Sequence, residues 1–462
     1  MIRSQVESTR IQILNQRPIL PNNYVLYWMQ QSQRAVGNHA LEYAVELANA
    51  RNKPLLVVFG LTGGYPEANA RHYTFLIEGL REVRESLRAR GIAMVIRLGE
   101  PDRVAMEFGK KADLMVCDRG YLRHQNRWRQ EVACRALCRV VQVESDAVVP
   151  VETASGKKVY AARFLRPHIH RNLSQYLKRP IPQQSRHSSL ELNLPGEDLA
   201  DIDGLLSTLG VDRRVPPVSR LFQGGTSRAT ERMQRFVREE LTAYAVNGNQ
   251  PQTDSISYLS PHLHFGQIST IDLALAVQQA QDSPAESRAA FLEQLIVRRE
   301  LAFNFTHYTP DYDQFASLPG WARETLHFHR QDKREFLYTE ERLEQGETHD
   351  PYWNAAMLEM KHTGFMHNYM RMYWGKKILE WSESPEAAFT TIQRFNNKYF
   401  LDGRDPNSYA GCGWIFGLHD RPWKERPVFG KIRCMTAAGL ERKCDMAGYV
   451  DKVKRLVQIV TA

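Results

Sequence analysis

The sequence predicts an N-terminal α/β unit built on a doubly wound, Rossmann-like parallel sheet, followed by a C-terminal all-helical unit. Two observations carry that reading. Short apolar runs alternate with helix-length amphipathic stretches through the first third of the chain, and beyond a Pro-, Ser- and Gly-rich stretch the apolar residues recur at helical spacing.

The runs 24–28, 54–59, 93–96, 114–117 and 140–143 are mostly apolar at odd and even positions alike. Such strands are covered on both faces, as parallel strands are when helices cross over between them. Helices are expected over 40–50 and about 73–90, and again between the later runs. From 171 to 225 the composition shifts to Pro, Ser, Gly and Gln, with Pro180-Ile181-Pro182 and Pro216-Pro217, which reads as a long connection. The division is therefore 20–170 for the α/β unit, 171–225 for the connection and 226–462 for the helical unit. In the last, Phe291, Leu292, Leu295 and Ile296 share a helical face, and Ser260-Pro261 and Asp350-Pro351 each set a capping residue before a proline in a first turn.

Composition narrows the function classes. A chain of 462 residues with 43% apolar and 24% charged residues is that of a soluble globular protein. No stretch approaches ~20 apolar residues, and Met1-Ile2-Arg3-Ser4-Gln5-Val6-Glu7 lacks the apolar core of a secretory leader, so a cytoplasmic protein without a membrane span is expected. Six cysteines, at 117, 134, 138, 412, 434 and 444, are too sparse for a disulfide scaffold and match no zinc spacing, so no metal is expected. Lys and Arg exceed Asp and Glu by 61 to 52, a basic balance that suits an acidic partner such as nucleic acid. Gly60-Leu61-Thr62-Gly63-Gly64 follows a strand but is no dinucleotide fingerprint, and no phosphate-loop motif occurs. Of the 19 Phe, 19 Tyr and 8 Trp, many crowd into the C-terminal third, where a core, a stacking cleft and a redox chain are all compatible with the count.

The densest chemistry lies in Tyr399-Phe400-Leu401-Asp402-Gly403-Arg404-Asp405-Pro406-Asn407-Ser408, which runs on to Trp414. Alone it reads as a capped interhelical loop. It is accompanied by Ser260-Pro261-His262-Leu263-His264-Phe265-Gly266-Gln267, by Thr348-His349-Asp350-Pro351-Tyr352-Trp353-Asn354, by Met366-His367-Asn368-Tyr369-Met370-Arg371-Met372-Tyr373-Trp374, and by His419-Asp420-Arg421-Pro422-Trp423-Lys424-Glu425-Arg426. Together, and with Tyr160-Ala161-Ala162-Arg163-Phe164-Leu165-Arg166-Pro167 in the first unit, these segments closely resemble the class II cyclobutane pyrimidine dimer photolyases of the photolyase/cryptochrome family.

That resemblance implies an antenna-type α/β domain and a helical domain holding FAD, whose reduced form FADH− drives repair of UV-damaged DNA under blue light. By position, Arg371 lies beside the flavin and pairs with Asp402, Asn396 faces flavin N5, and Tyr244, Ser257, Leu259 and Ser260 hold the phosphates and ribose. A neutral amide at 396 accepts from N5–H without repelling the anion, as a carboxylate would. Trp374 and Trp353 match the proximal and distal members of an electron-transfer pair, with Tyr338, Tyr373 and Trp381 beside them. From spacing alone, Trp374 and Trp381 are two helical turns apart, about 10 Å along the axis, which packing would equally explain. On the DNA side the resemblance implies Trp414 and Trp423 in the space left by a flipped lesion, with Met372 and Asn249 at the lesion and Lys424, Arg426, Lys431 and Arg433 near phosphates.

Three departures cluster on that side. Gln294 stands where most class II photolyases carry a Glu, an Arg-Asn pair appears as Gly248-Asn249, and the stretch from Trp414 to His419 is one residue short. Gln donates a hydrogen bond but no proton, and Glu293, about 100° around a helix, is a poor substitute. The expectation is a monomeric, class II-like photolyase; the alternative is a cryptochrome-like flavin photoreceptor with weakened repair. No motif names the antenna chromophore; a deazaflavin, a folate and none at all stay open.

Overall fold

A computed structural model describes residues 4–461. Met1, Ile2 and Arg3, part of the start read above for a leader, lie outside the described residues. The sheet has six strands, β1 (Ile11–Ile13), β2 (Tyr24–Trp28), β3 (Leu55–Leu61), β4 (Ala93–Leu98), β5 (Ala112–Asp118) and β6 (Arg139–Val143), in the order β1-β6-β5-β2-β3-β4. Strands β2 to β6 pair in parallel, joined by helices α1 (His39–Ala50), α2 (Ala70–Ala89), α3 (Pro101–Gly109) and α4 (Arg123–Arg135). All residues of β2, β3 and β5 are buried, the physical reason their sequences show no alternation. β1, unforeseen in the sequence, adds antiparallel to β6 with Ile11 opposite Val143; three residues centred on Gln12 carry too little pattern to read.

The chain leaves β2 toward β3 and returns to β5 on the other side, so the strand order reverses between β2 and β5. Carboxyl ends diverge there and leave a crevice. The connection does not cross open solvent. Leu199, Leu205, Leu206 and Val211 pack into the core of the α/β unit, while the Ser189 and Glu197 amides donate to the Gly91 and Ile96 carbonyls at 3.0 and 2.9 Å.

In the helical unit, the helices Pro351–Thr363, Asn368–Trp381, Pro385–Tyr399, Pro406–Ile415 and Met446–Thr461 contribute to one aromatic-rich core. Asp350 caps the first of these as expected, its Oδ1 accepting from the Tyr352 and Trp353 amides at 3.0 Å each. Ser260 does not cap. It is itself the first residue of the five-residue helix Ser260–His264, and Leu259 holds the cap position without a side-chain bond. Between Ala285–Leu292 and Arg299–Tyr308 the helix widens into a π turn, Glu293–Arg298, which carries Gln294. Such bulges change which residues share a face.

Buried polar groups lock the two units together. Arg299 donates to the Asp146 carbonyl at 2.8 Å, and Glu300 accepts from the Val148 and Val149 amides at 2.6 and 3.2 Å. Burial pushes the Glu300 carboxyl up to about 8 in spite of those donors. The unfolded carboxyl ionises near ~4.3, so between that pH and about 8 unfolding releases a proton, and the Glu300 contribution to stability falls as pH rises. Glu300→Gln keeps an acceptor and removes the titration. Urea unfolding between pH 5 and 8 is expected to show wild type losing stability relative to this variant, by at most about 1.4 kcal/mol per pH unit; a constant difference would exclude the assignment.

Candidate active site

Helix Asn368–Trp381 carries Arg371 and Trp374 one turn apart. Helix Pro385–Tyr399 ends beside them, bringing Asn396, and the turn after it folds Asp402 back onto Arg371. Arg371 NH2 donates to Asp402 Oδ2 at 3.0 Å, NH1 lies 2.9 Å from Oδ1, and Nε donates to the Met366 carbonyl at 2.9 Å. The guanidinium carbon sits 3.9 Å from the centre of the Phe400 ring. A cation held on three sides and stacked on an aromatic face is preorganised beside whatever fills the adjoining space.

The Asn396 amide is oriented by necessity. Its Nδ2 donates to Ser408 Oγ and, at 3.1 Å, to Asn397 Oδ1. Asn397 Oδ1 also receives the Arg404 amide at 3.2 Å, while Asn397 Nδ2 donates to the Glu67 carboxylate, which can only accept when ionised. Asn396 Oδ1 has no partner among the described residues. One free acceptor is thus presented from a buried wall. The buried indole Nε1 of Trp374 is likewise without a partner among the described residues. A spare acceptor, a spare donor and a clamped cation on adjoining elements fit the polar edge of an isoalloxazine.

The second expected group lies on a neighbouring loop. Leu259 is fully buried, Ser257 Oγ accepts from the Leu259 amide at 3.4 Å, and the Tyr244 ring meets Phe291 edge-on at 5.2 Å. Tyr258, at φ +51°, packs on Phe365 at 4.9 Å, and Phe365 lies 5.5 Å from the Arg371 guanidinium, so this loop and the Arg371 cluster share one aromatic bridge.

Trp353, Trp374 and Trp381 are all buried. Trp353 Nε1 donates to the Trp374 carbonyl at 2.9 Å, and its ring meets the Trp381 ring at 5.6 Å. Trp381 in turn meets Tyr338 at 5.5 Å and His349 at 5.1 Å, and Tyr338 Oη lies 2.7 Å from His349 Nδ1 near the surface. Trp353 thus touches the backbone of Trp374 and the ring of Trp381 on the neighbouring helix, a relation their spacing does not reveal. Tyr373 instead bonds Asp350.

Trp414 and Trp423 share a cation. The Arg433 guanidinium is 6.0 Å from the first ring and 5.0 Å from the second, and Arg421 is 5.4 Å from Trp423, whose residue is 40% exposed. Arg426 and Gly430 exchange backbone bonds at 2.9 and 2.8 Å, and the Trp423 amide donates to Lys431, so the loop bearing Arg426 and Lys431 is closed on itself. The shortened stretch holds its turn with Gly417 at φ +97° and His419 at φ +60°; a Cβ at Gly417 would approach the Trp321 ring to 2.8 Å. Met372 is buried on the Arg371 helix, whereas Gln294 and Asn249 are exposed. No hydrogen bond among the described residues joins Gln294 or Asn249 to the tryptophan pair.

Several residues of this site escaped the sequence reading. Glu67, Asn397 and Ser408 orient Asn396, and nothing near Glu67 in sequence signals a partner 330 residues away. Lys376 is fully buried with its ammonium on the Ile415 carbonyl and 6.0 Å from the Trp414 ring; burial pushes its pKa down to about 7. At the carboxyl ends of β2 and β3 a crevice lined by Gln30, Thr62, Tyr65, Trp128, His264 and Arg404 encloses about 660 Å³, part of it open to solvent.

Comparison with known proteins follows this geometry. A family model described as DNA photolyase matches residues 25–186. The chain is 46% identical over 455 residues to a deoxyribodipyrimidine photo-lyase of Methanothermobacter thermautotrophicus, covering 98% of this chain and 99% of that one. It is 39% identical to a deoxyribodipyrimidine photo-lyase of Arabidopsis thaliana, over 98% of this chain and 94% of the other. The fold is similar to that of a bacterial class III photolyase from Agrobacterium tumefaciens, with TM-score 0.71 at 19% identity over 96% of this chain and 90% of the other. On near-complete coverage at that identity, the chain belongs to the photolyase/cryptochrome family.

Proposed function

We propose that the protein is a class II-like photolyase that splits cyclobutane pyrimidine dimers in DNA. The observation that carries the reading is the amide of Asn396, turned so that its oxygen is free on the helix end that leads into the turn bearing Asp402, the partner of Arg371. Bound FAD in its reduced form would supply, under blue light, the electron that opens the cyclobutane ring. Asn396 Oδ1 holds the proton at N5 by accepting its hydrogen bond, and Arg371 balances the anionic ring. Leu259, Ser257, Ser260 and Tyr244 bind the remainder of the cofactor. Trp374 and Trp353 pass an electron inward, and Trp381 continues the path toward Tyr338 at the surface. Trp414 and Trp423 stack on bases around the flipped dimer while Arg421, Arg426, Lys431 and Arg433 meet phosphates. Gln294, Met372 and Asn249 face the dimer. The crevice at the carboxyl ends of β2 and β3 suits a planar antenna chromophore.

Whole-length identity to photo-lyases supports repair over a photoreceptor role. With chemically reduced protein, illumination of dimer-containing single- and double-stranded DNA is expected to restore intact pyrimidines. Normal flavin photoreduction without restoration would overturn the repair reading. Trp374→Phe is expected to abolish photoreduction yet leave repair by chemically reduced protein within about twofold, since the relay serves only reduction; loss of both would place Trp374 in the repair step itself. Gln294→Glu restores a proton donor, and an increase in repair quantum yield is expected; an unchanged yield would show that hydrogen-bond donation suffices.

A further inference from the structure

We infer that Glu67, on an exposed loop of the α/β unit, is a positioning residue that acts with the Arg404 backbone amide to fix which atom of the Asn396 amide faces the active site. The inference rests on the reading that Asn396 Oδ1 accepts from flavin N5–H.

The chain of donors and acceptors leaves one solution. The ionised Glu67 carboxylate has no proton to give, so the Asn397 amide must turn its Nδ2 toward it. Asn397 Oδ1 then faces the Arg404 amide at 3.2 Å and Asn396 at 3.1 Å. Because that oxygen too can only accept, Asn396 must present Nδ2 to it and is left with Oδ1 free. Ser408 Oγ cannot set this orientation alone, since a hydroxyl donates or accepts with equal ease.

The loop around Glu67 is built for the task. Glu67 itself is at φ +57°, a left-handed conformation that a non-glycine residue adopts at a cost, although its side chain is exposed and needs no partner for solvation. Its neighbours seize the same helix end. Asn69 Nδ2 donates to the Lys398 carbonyl at 2.7 Å, Arg71 NH1 donates to the Tyr399 carbonyl at 2.7 Å, and His72 Nε2 lies 3.0 Å from the Phe400 carbonyl. Arg404 closes the array by donating to the Asn397 carbonyl. The α/β unit therefore grips the four residues that follow Asn396, and Glu67 alone among these contacts reaches an active-site side-chain network.

The readout is the reduction potential of bound flavin, followed spectroelectrochemically in full-length protein reconstituted with FAD. Glu67→Gln keeps an acceptor for Asn397 Nδ2 and is expected to leave the potential unchanged. Glu67→Lys sets a donor against Asn397 Nδ2 while the Arg404 amide still holds Asn397 Oδ1, so the two orientations of Asn397, and with it of Asn396, compete and the equilibrium shifts toward oxidised flavin by less than about tenfold. Glu67→Ala, which brings no new charge, is expected to shift it the same way by less. A purely electrostatic role predicts the opposite: each variant removes a negative charge and would favour the reduced anion, Lys most. Shifts toward the reduced form, or none in Lys and Ala, would overturn the inference while leaving the functional reading intact. Failure of the wild-type protein to bind FAD would instead refute that reading, and this inference with it.

Discussion

The site depends on one turn whose polar backbone is shared by both units. After helix Pro385–Tyr399 the chain reverses through Phe400 to Asp405 with Arg404 at φ +60°, and a Cβ at Gly403 would come within 2.6 Å of the Asn396 carbonyl. A buried turn this tight must find partners for its carbonyls, because an unpaired buried acceptor costs more than a made bond returns. Those partners come from α2: Arg71 serves Tyr399 at the helix end and His72 serves Phe400, while Arg71 also takes the Met360 and Lys361 carbonyls of helix Pro351–Thr363. Burial pushes the Arg71 guanidinium down to about 10, and it still spends its donors there on carbonyls alone. The active site is therefore a property of the interface between units.

The aromatic surplus follows from the same packing. Trp353, Tyr373, Trp374 and Trp381 fill the core of the helical unit, so each must be buried whatever else it does. Burial holds indole rings in fixed mutual geometry. A path from Trp374 through Trp353 and Trp381 to the Tyr338–His349 pair therefore needs no element that stability does not already require. By contrast Trp423 lies at the surface and Trp414 is only partly buried at the edge of that core, with cations on both rings, an arrangement that suits stacking on bases.

Sequence legibility tracked how local each determinant is. The five parallel strands were readable because burial on both faces leaves uninterrupted apolar runs, and Asp350 was readable because its cap acts within three residues. β1 was hidden because its pairing with β6 spans the whole unit, and Ser260 misled because a serine before proline has the same signature one position into the helix as at its cap. Arg371, Asp402 and Asn396 came from a resemblance rather than from spacing. What no one-dimensional pattern could supply was the path by which Glu67 and Asn397 orient the amide, since hydrogen-bond direction is set only once distant donors and acceptors meet.

The segment around Gln294 obeys a stricter constraint. Glu293 is next to Gln294, yet it accepts from Arg166 at 3.0 and 2.8 Å, and Arg298 lies 3.3 Å from it. Burial alone would raise the Glu293 pKa, but its bonds to Arg166 and the nearby Arg298 outweigh this and hold it below the usual carboxylate range. Its committed oxygens and its ionised state both prevent it from acting as an acid. The π turn separates the two roles further, since Gln294 extends to solvent while its neighbour ties the turn to helix Ala162–Tyr176. Neither residue of this segment is thus set up to give up a proton: Glu293 is ionised and committed to Arg166 and Arg298, and the Gln294 amide can only donate a hydrogen bond.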